Sequence, residues 1–179
     1  MNLLRYYLMI GGAGFDMNAY SLACKQRSIP TGRVGFIKNP RIKNHEGISV
    51  SIESGVPGTF GDGYFMWQSE IVNYATKESE FQRQYSMPMG SDYSQLWVNE
   101  ESAMINFLLP FKSRMPNVSN YCVGDYFIIF KVIYGSSDEG GCVCAGYSRR
   151  IISILAEIGA GIESDCESHQ MHFAKLRNM

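Results

Sequence analysis

The sequence lacks an excess of charge of either sign and contains no cluster of basic side chains. Lys and Arg total 16 against 17 Asp and Glu, which gives a net charge of −1. The densest basic stretch, residues 38–43, contains Pro40 and is typical of a solvated loop. Because nucleic-acid binding by phosphate neutralisation needs a basic face, we predict that no nucleic acid is a partner.

Long apolar runs are also missing. No stretch approaches the roughly 20 apolar residues that a membrane-spanning helix needs. The apolar run over residues 6–15 is interrupted by three glycines and is followed by no small-residue cleavage pattern, which favours a first β-strand over a signal peptide. The sequence therefore predicts a cytoplasmic protein with no membrane partner.

The five cysteines form no disulfide framework, because their number is odd and their spacing irregular. Reduced, partly buried thiols in a cytosol fit better. Cys142 and Cys144 share one face of a predicted strand, and with Cys166, His169 and His172 they could surround a zinc ion. The spacing matches no structural zinc pattern, so buried thiols and no metal site are the prediction.

Sequence motifs of nucleotide-binding and hydrolytic enzymes are absent too. Gly12-Ala13-Gly14 follows a strand-like run, but the third glycine of the dinucleotide fingerprint is missing and Asp16 would repel a phosphate. A tight strand-to-helix turn is predicted instead. No Gly-x-Ser-x-Gly elbow is present, and no local signature pairs a cysteine with a histidine. The sequence thus identifies no catalytic residue and no cofactor, and it favours a protein that is not an enzyme.

Segments with strand and helix patterns fill the rest of the chain. Asp16 is a suitable N-cap for a first helix over residues 17–26. Period-two patterns and apolar runs bounded by turn residues predict the strands. These strands cover residues 3–10, 33–38, 47–53, 64–72, 124–134, 142–147 and 160–166.

A second helix is predicted to begin at Asn99, a good N-cap residue, with Glu100 and Glu101 complementing the positive end of its dipole. Pro110 either ends this helix near Leu109 or kinks it. The apolar side chains recur at the spacing of a buried face. They are Met104, Phe107, Leu108 and Phe111.

A third helix is predicted after Ser148, which is suited to cap it, and before Gly159, a good residue for the left-handed position that follows a helix. Its inner face is predicted to carry Ile151, Ile152, Leu155 and Ile158.

The resulting order β-α-β-β-β-α-β-β-α-β predicts an α+β fold, because runs of neighbouring strands do not suit an alternating parallel fold. We expect one globular domain over residues 1–179, with a mainly antiparallel sheet and helices packed on one face. Residues 77–93 are polar and predict a variable excursion. Residues 168–179 have weak periodicity, which fits either a frayed tail or a helix.

The chain resembles the bacterial domain of unknown function 4279 (DUF4279) family. The resemblance lies in Gly14-Phe15-Asp16 after the first strand, Ile29-Pro30-Thr31 after the first helix, a strand tryptophan, and residues 148–165. The tryptophan is either Trp67 or Trp97. Some members of this family look like immunity proteins encoded beside secreted toxins, so the resemblance implies a binding role with no established reaction.

Acidic residues near the end of the chain are the candidate partner-binding residues: Asp138, Glu139, Glu163, Asp165 and Glu167. The last three alternate on a predicted strand, so their carboxylates would face one way. They could form a solvated edge that prevents strand pairing, a patch for a basic partner, or a catalytic carboxylate pair.

We therefore expect a cytoplasmic protein-binding domain, and specifically an immunity protein that neutralises a cognate secreted toxin. The alternative is an enzyme or small-ligand-binding domain on the same fold, which would need a concave pocket with convergent polar groups. A self-associating module with an exposed strand edge is a third hypothesis.

Overall fold

The computed structural model describes residues 3–38, 41–43, 49–51, 63–77, 93–136 and 146–178. These residues form an α+β fold in which helices accompany an open, mixed, mostly antiparallel sheet. The predicted fold class is confirmed.

Most strands and helices of the described residues lie where the sequence pattern predicts them, but Arg41–Lys43 forms a strand that was not predicted, and the segment predicted as one strand over residues 64–72 contains two. The strands are β1 (Leu3–Gly12), β2 (Thr31–Lys38), β3 (Arg41–Lys43), β4 (Ser49–Ser51), β5 (Gly63–Ser69), β6 (Val72–Asn73), β7 (Tyr126–Ser136) and β8 (Gly161–Ser168). The helices are α1 (Met17–Gln26), α2 (Tyr93–Arg114), α3 (Arg149–Glu157) and α4 (His169–Arg177), with a short 3-10 helix at Val118–Tyr121.

The main sheet has the strand order β2-β5-β1-β7-β8, and β6 also pairs with β1. β5 is antiparallel to both β1 and β2, whereas β7 and β8 are parallel. Parallel neighbours need a crossover connection, and α3 lies between β7 and β8 in the chain. β3 and β4 form a separate two-stranded antiparallel sheet. The prediction of a loop over residues 38–43 is therefore wrong at Arg41–Lys43.

The chain divides into two compact units. The first contains Met1–Leu8, Ile71–Ser113 and Ile129–Met179, and the second contains Met9–Glu70 and Arg114–Ile128. The interpretation of residues 1–179 as one domain stays a prediction.

The core of the first unit contains a cluster of aromatic rings. The ring of Tyr6 on β1 lies 5.2 Å from Phe107 on α2 and 6.0 Å from Phe130 on β7. On α2, Met104, Leu108 and Phe111 are buried and Phe107 is half-buried, in accord with the predicted apolar face. Aromatic pairs at these separations stabilise a core beyond the area that they bury.

The ends of α2 differ from the prediction. The helix begins at Tyr93, six residues before Asn99, so Asn99 is not its N-cap and Glu100 lies within the helix. It also continues through Pro110 to Arg114, so of the two predicted alternatives the end near Leu109 is wrong, and the kink stays a prediction. Proline removes one backbone donor but does not end a helix whose other side chains are held by the core.

The predicted ends of α3 are confirmed. The Ser148 hydroxyl accepts a hydrogen bond from the Ile151 backbone N–H, and Gly159 has a φ of 69°. Ile154 is buried on the inner face of α3, whereas Ile152, which was predicted to lie on that face, is exposed.

The second unit is built around Tyr20 of α1. The Tyr20 ring lies 5.4 Å from each of the rings of Phe15, Trp67 and Tyr121. Trp67 is fully buried, and its Nε1–H donates to the Thr31 hydroxyl at 3.1 Å. The buried indole N–H is therefore satisfied, as burial of a tryptophan requires.

Three further sequence predictions fall partly or wholly outside the described residues. Of the excursion over residues 77–93, residues 78–92 lie outside them, and Tyr93 is the first residue of α2. Of the strand predicted over residues 142–147, only Gly146 and Tyr147 are described, and neither is in a strand. Residues 169–177 form helix α4, which settles the two alternatives for the tail.

Candidate functional site

The predicted acidic strand exists as β8, and three of the five candidate residues lie on it. Glu163 is opposite Lys131, Asp165 opposite Ile133, and Glu167 opposite Gly135 of β7. Side chains alternate across a strand, so Glu163, Asp165 and Glu167 leave β8 on the same side. Asp138 and Glu139 lie outside the described residues.

Lys131 is the centre of the first charged group on this face. Its ammonium lies 2.5 Å from Oε1 of Glu163 and 2.6 Å from Oδ2 of Asp165. The lysine side chain is 12% exposed, against 49% and 54% for the two carboxylates. Burial works against the charge of Lys131, but hydrogen bonds from its ammonium to Asp165 and Glu163 outweigh burial and raise the pKa of Lys131. One ammonium therefore faces two half-exposed carboxylates.

Glu167 belongs to a second and more buried charged group. Its side chain is only 10% exposed, and it forms ion pairs with Arg5 of β1 and Lys175 of α4. The sequence correctly places Glu167 on the same side of β8 as Glu163 and Asp165. It does not reveal that Glu167 joins three elements of the first unit, whereas the other two carboxylates face solvent.

His172 of α4 lies next to this second group. The ring is fully buried, with Nε2 at 2.9 Å from the Ala75 carbonyl oxygen and Nδ1 at 3.4 Å from Nη1 of Arg5. A carbonyl only accepts and a guanidinium only donates, so Nε2 carries the proton and Nδ1 accepts. Burial lowers the pKa of His172 below its ordinary value, and the charges of Arg5 and Lys175 act in the same direction.

These contacts bear on the zinc hypothesis. Both ring nitrogens of His172 face protein groups, Cys166 is exposed, and Cys142 and Cys144 lie outside the described residues. Within the ranges that the structure describes, no group of three or more His, Cys, Asp or Glu side chains is placed to hold a metal ion.

Glu100 is an unusual group that the sequence interpretation missed. The carboxyl is 3% exposed, and its Oε1 accepts a hydrogen bond of 2.9 Å from the Leu3 backbone N–H. Its Oε2 has no hydrogen-bond partner among the described residues. Burial raises the pKa of Glu100 to about 7, although the Leu3 hydrogen bond opposes the shift.

A signal for the burial of Glu100 is present in the sequence. Glu100, Met104 and Leu108 are spaced four residues apart, so they share one face of a helix. Placing the helix start at Asn99 assigned Glu100 to the exposed first turn and concealed that spacing.

Three hydroxyl groups connect the core of the first unit to β8. The Tyr134 hydroxyl donates to that of Tyr147 at 3.3 Å, and the Tyr147 hydroxyl lies 2.5 Å from Oγ of Ser164. Burial raises the pKa of Tyr134 far above its ordinary value, and the Tyr147 hydrogen bond adds to the shift. The Tyr134 hydroxyl therefore stays protonated at neutral pH and acts as a hydrogen-bond donor.

In the second unit, the glycine-rich turn after β1 is packed against protein backbone. The Val123 N–H donates to the Gly14 carbonyl at 3.0 Å, and a Cβ on Gly14 would lie 2.3 Å from the Val123 carbonyl oxygen. Asp16 accepts a hydrogen bond of 3.0 Å from the Ala19 N–H, which is the predicted helix cap. These contacts confirm a tight strand-to-helix turn.

Comparison with known proteins gives no match, whether with family models, curated proteins or solved structures. The resemblance to DUF4279 therefore stays an expectation. None of the helices in the described part of the chain is long and apolar enough to cross a bilayer. The candidate site rests on geometry, and it is the group formed by Lys131 of β7 with Glu163 and Asp165 of β8, which we call the β8 charge cluster.

Proposed function

We propose that this chain is a protein-binding domain that recognises a basic surface of its partner through the β8 charge cluster. The observation that carries the proposal is the position of Glu163 and Asp165. Both are about half exposed, and both are held by the single ammonium of Lys131. Two carboxylates and one ammonium leave a surplus negative charge at the surface of a regular strand.

The geometry of the cluster suits recognition because its side chains are already fixed. Lys131 contacts Oε1 of Glu163 and Oδ2 of Asp165, which leaves the second oxygen of each carboxylate outside these ion pairs. An arginine or lysine of a partner can approach those oxygens. Side chains that are ordered before binding lose less conformational entropy in the complex, and surplus charge accelerates association with a basic surface.

The partner that we propose is a secreted toxin encoded beside this chain, which would make the chain a cytoplasmic immunity protein. Two observations support this finer statement. One is the sequence resemblance of residues 148–165, which include Glu163 and Asp165. The other is the acidic surplus on β8, which suits a toxin whose active surface binds an anionic substrate.

The test measures binding of the purified product of the neighbouring gene by titration calorimetry. We compare the natural chain with a Glu163→Gln, Asp165→Asn double variant, which keeps the side-chain shapes and removes both charges. We expect the double variant to bind about tenfold or more weakly. Added salt should weaken the natural complex more than the variant complex, because salt screens exposed charges.

Glu157→Gln is the matched control. Glu157 is also about half exposed and pairs with a lysine, Lys112, but it lies on α3 and outside the β8 charge cluster. This control should bind as the natural chain does. Equal affinity of the double variant and the natural chain would refute the proposed role of β8, and absence of any binding to the neighbouring gene product would refute the immunity function.

A further inference from the structure

Helix α4 is attached to the rest of the first unit by a buried histidine, and one of the two hydrogen bonds of its ring, the contact of Nδ1 with Arg5, requires the neutral form. The Nε2–H of His172 donates to the Ala75 carbonyl at 2.9 Å. Ala75 is itself joined to β1, because its N–H donates to the Leu4 carbonyl at 3.1 Å. On the other side of the ring, Nδ1 accepts from Arg5, also on β1, at 3.4 Å.

Two of the three charged groups around the ring, Arg5 and Lys175, disfavour a second proton, whereas the Glu167 carboxylate favours it. Arg5 of β1 faces Nδ1, Lys175 lies on the same helix, and Glu167 of β8 is the carboxylate of the group. Glu167 already pairs with both Arg5 and Lys175. It therefore cannot turn to a protonated ring without giving up one of these ion pairs.

We propose that His172 acts as a pH-sensitive switch, which in its neutral form holds α4 against β1 and Ala75 and on protonation releases α4. This inference concerns the stability of a helix and does not rest on the proposed binding function.

Protonation changes the contact with Arg5 from attractive to repulsive. A protonated Nδ1 has no lone pair to accept the guanidinium hydrogen, and two positive groups would then face each other at the present separation. The lowered pKa of His172 means that the unfolded chain takes up this proton first as the pH falls. The contribution of His172 to stability is therefore complete above the ordinary histidine pKa and decreases as the pH falls below it.

Release of α4 would uncover apolar surface. Phe173, next to His172, forms a small buried cluster with Leu4 and Ile133, and Leu176 packs against it. The cluster joins α4 to β1 and β7, so movement of α4 away from these strands would expose it. Protonation of His172 would therefore expose the apolar side chains of this cluster to solvent.

The test compares hydrogen-exchange protection factors, corrected for intrinsic exchange rates, at about pH 7.5 and about pH 5, on either side of the ordinary histidine pKa. We expect the amides of α4 to lose protection by about tenfold or more at the lower pH. The amides of α3, in the same unit, should keep theirs. Constant protection of α4 in the natural chain would overturn the proposal.

The decisive variant is His172→Gln. A glutamine amide can donate to the Ala75 carbonyl and accept from Arg5, but it does not titrate. Its α4 should therefore keep the same protection at both pH values, and His169→Gln on the same helix should behave as the natural chain does. An equal loss of protection in His172→Gln and in the natural chain would overturn the proposal.

A second measurement does not depend on how the variant folds. The ring of His172 is followed by NMR in the natural chain while the pH is lowered. Its titration midpoint should coincide with the loss of α4 protection and with a change at the Ile133 methyl group. Titration of the ring while α4 stays protected would show that His172 is a buried histidine without a switching role.

Discussion

The Leu3 N–H and Oε1 of Glu100 form a buried hydrogen bond of 2.9 Å across 97 residues of sequence. It joins the start of β1 to the interior of α2, and the other oxygen of Glu100 is left without a described partner. Burial favours the neutral form of this carboxyl, because the single hydrogen bond from Leu3 does not offset the cost of burying the ionised form.

Glu100 should therefore make the fold less stable as the pH rises. Its pKa is raised to about 7 in the folded protein, so the unfolded chain loses this proton first. The free energy of unfolding should fall between about pH 4.5 and about pH 7, by up to about 3 kcal/mol, and stay level above that range. Urea unfolding at a series of pH values measures this dependence.

The Glu100→Gln variant separates this contribution from all others. In this variant the free energy of unfolding should no longer fall as the pH rises, because an amide accepts the Leu3 hydrogen bond without titrating. Glu101→Gln, at the adjacent helix position, should still show the fall in the free energy of unfolding. A pH profile that is unchanged by Glu100→Gln would show that Glu100 does not titrate in this range.

Lys131→Met should destabilise the first unit, because it leaves Glu163 and Asp165 facing each other without the ammonium between them. We expect a loss of about 1–3 kcal/mol, since Lys131 is largely buried and serves two carboxylates. The control is Lys112→Met, which breaks one exposed pair with Glu157 and should cost about 0–1 kcal/mol. Urea unfolding at neutral pH measures the loss of stability in both variants. Equal losses would contradict the claim that Lys131 stabilises the fold more than an exposed lysine does.

Gly14→Ala should disturb the turn between β1 and α1. The added methyl group would lie 2.3 Å from the Val123 carbonyl oxygen, which belongs to the backbone and cannot rotate away. A loss of about 1–3 kcal/mol is expected from such overpacking. Gly35→Ala on β2 meets no atom within 4 Å and should be nearly neutral. Thermal unfolding of both variants is the measurement, and a harmless Gly14→Ala would show that the turn adapts.

The described cysteines should differ strongly in reactivity. Cys24 is fully buried, and burial raises the pKa of its thiol to about 11, whereas Cys166 is exposed on β8. Because the thiolate is the nucleophile, iodoacetamide should alkylate Cys166 about 100-fold faster than Cys24 or more. Peptide mass mapping over time gives both rates, and similar rates would mean that the core around Cys24 opens readily.

The sequence predicts the end of a helix correctly where a capping residue or a left-handed glycine sets that end. Asp16, Ser148 and Gly159 mark the limits of α1 and α3, because caps and left-handed glycines act within a few residues. The start of α2 was predicted wrongly, because the capping signal of Asn99 is also local and the helix begins six residues earlier, at Tyr93.

The parallel pairing of β7 and β8 was within reach of the sequence. The predicted order over residues 124–166 was strand, strand, helix, strand, and a helix between two strands favours a parallel crossover. The strand predicted over residues 142–147 separated the strands over residues 124–134 and 160–166, so their parallel pairing was not predicted. In contrast, no sequence signal could place Glu167 beside Arg5, because the two residues lie 162 positions apart in the chain.

The most direct measurement of the proposed role is an NMR titration of the isotope-labelled chain with the purified product of the neighbouring gene. If β8 is the recognition element, the backbone amides of residues 161–168 and the Lys131 ammonium should show the largest changes, at concentrations where the complex forms. A complex whose perturbations spare β8 and Lys131, and fall on other parts of the chain, would contradict the account.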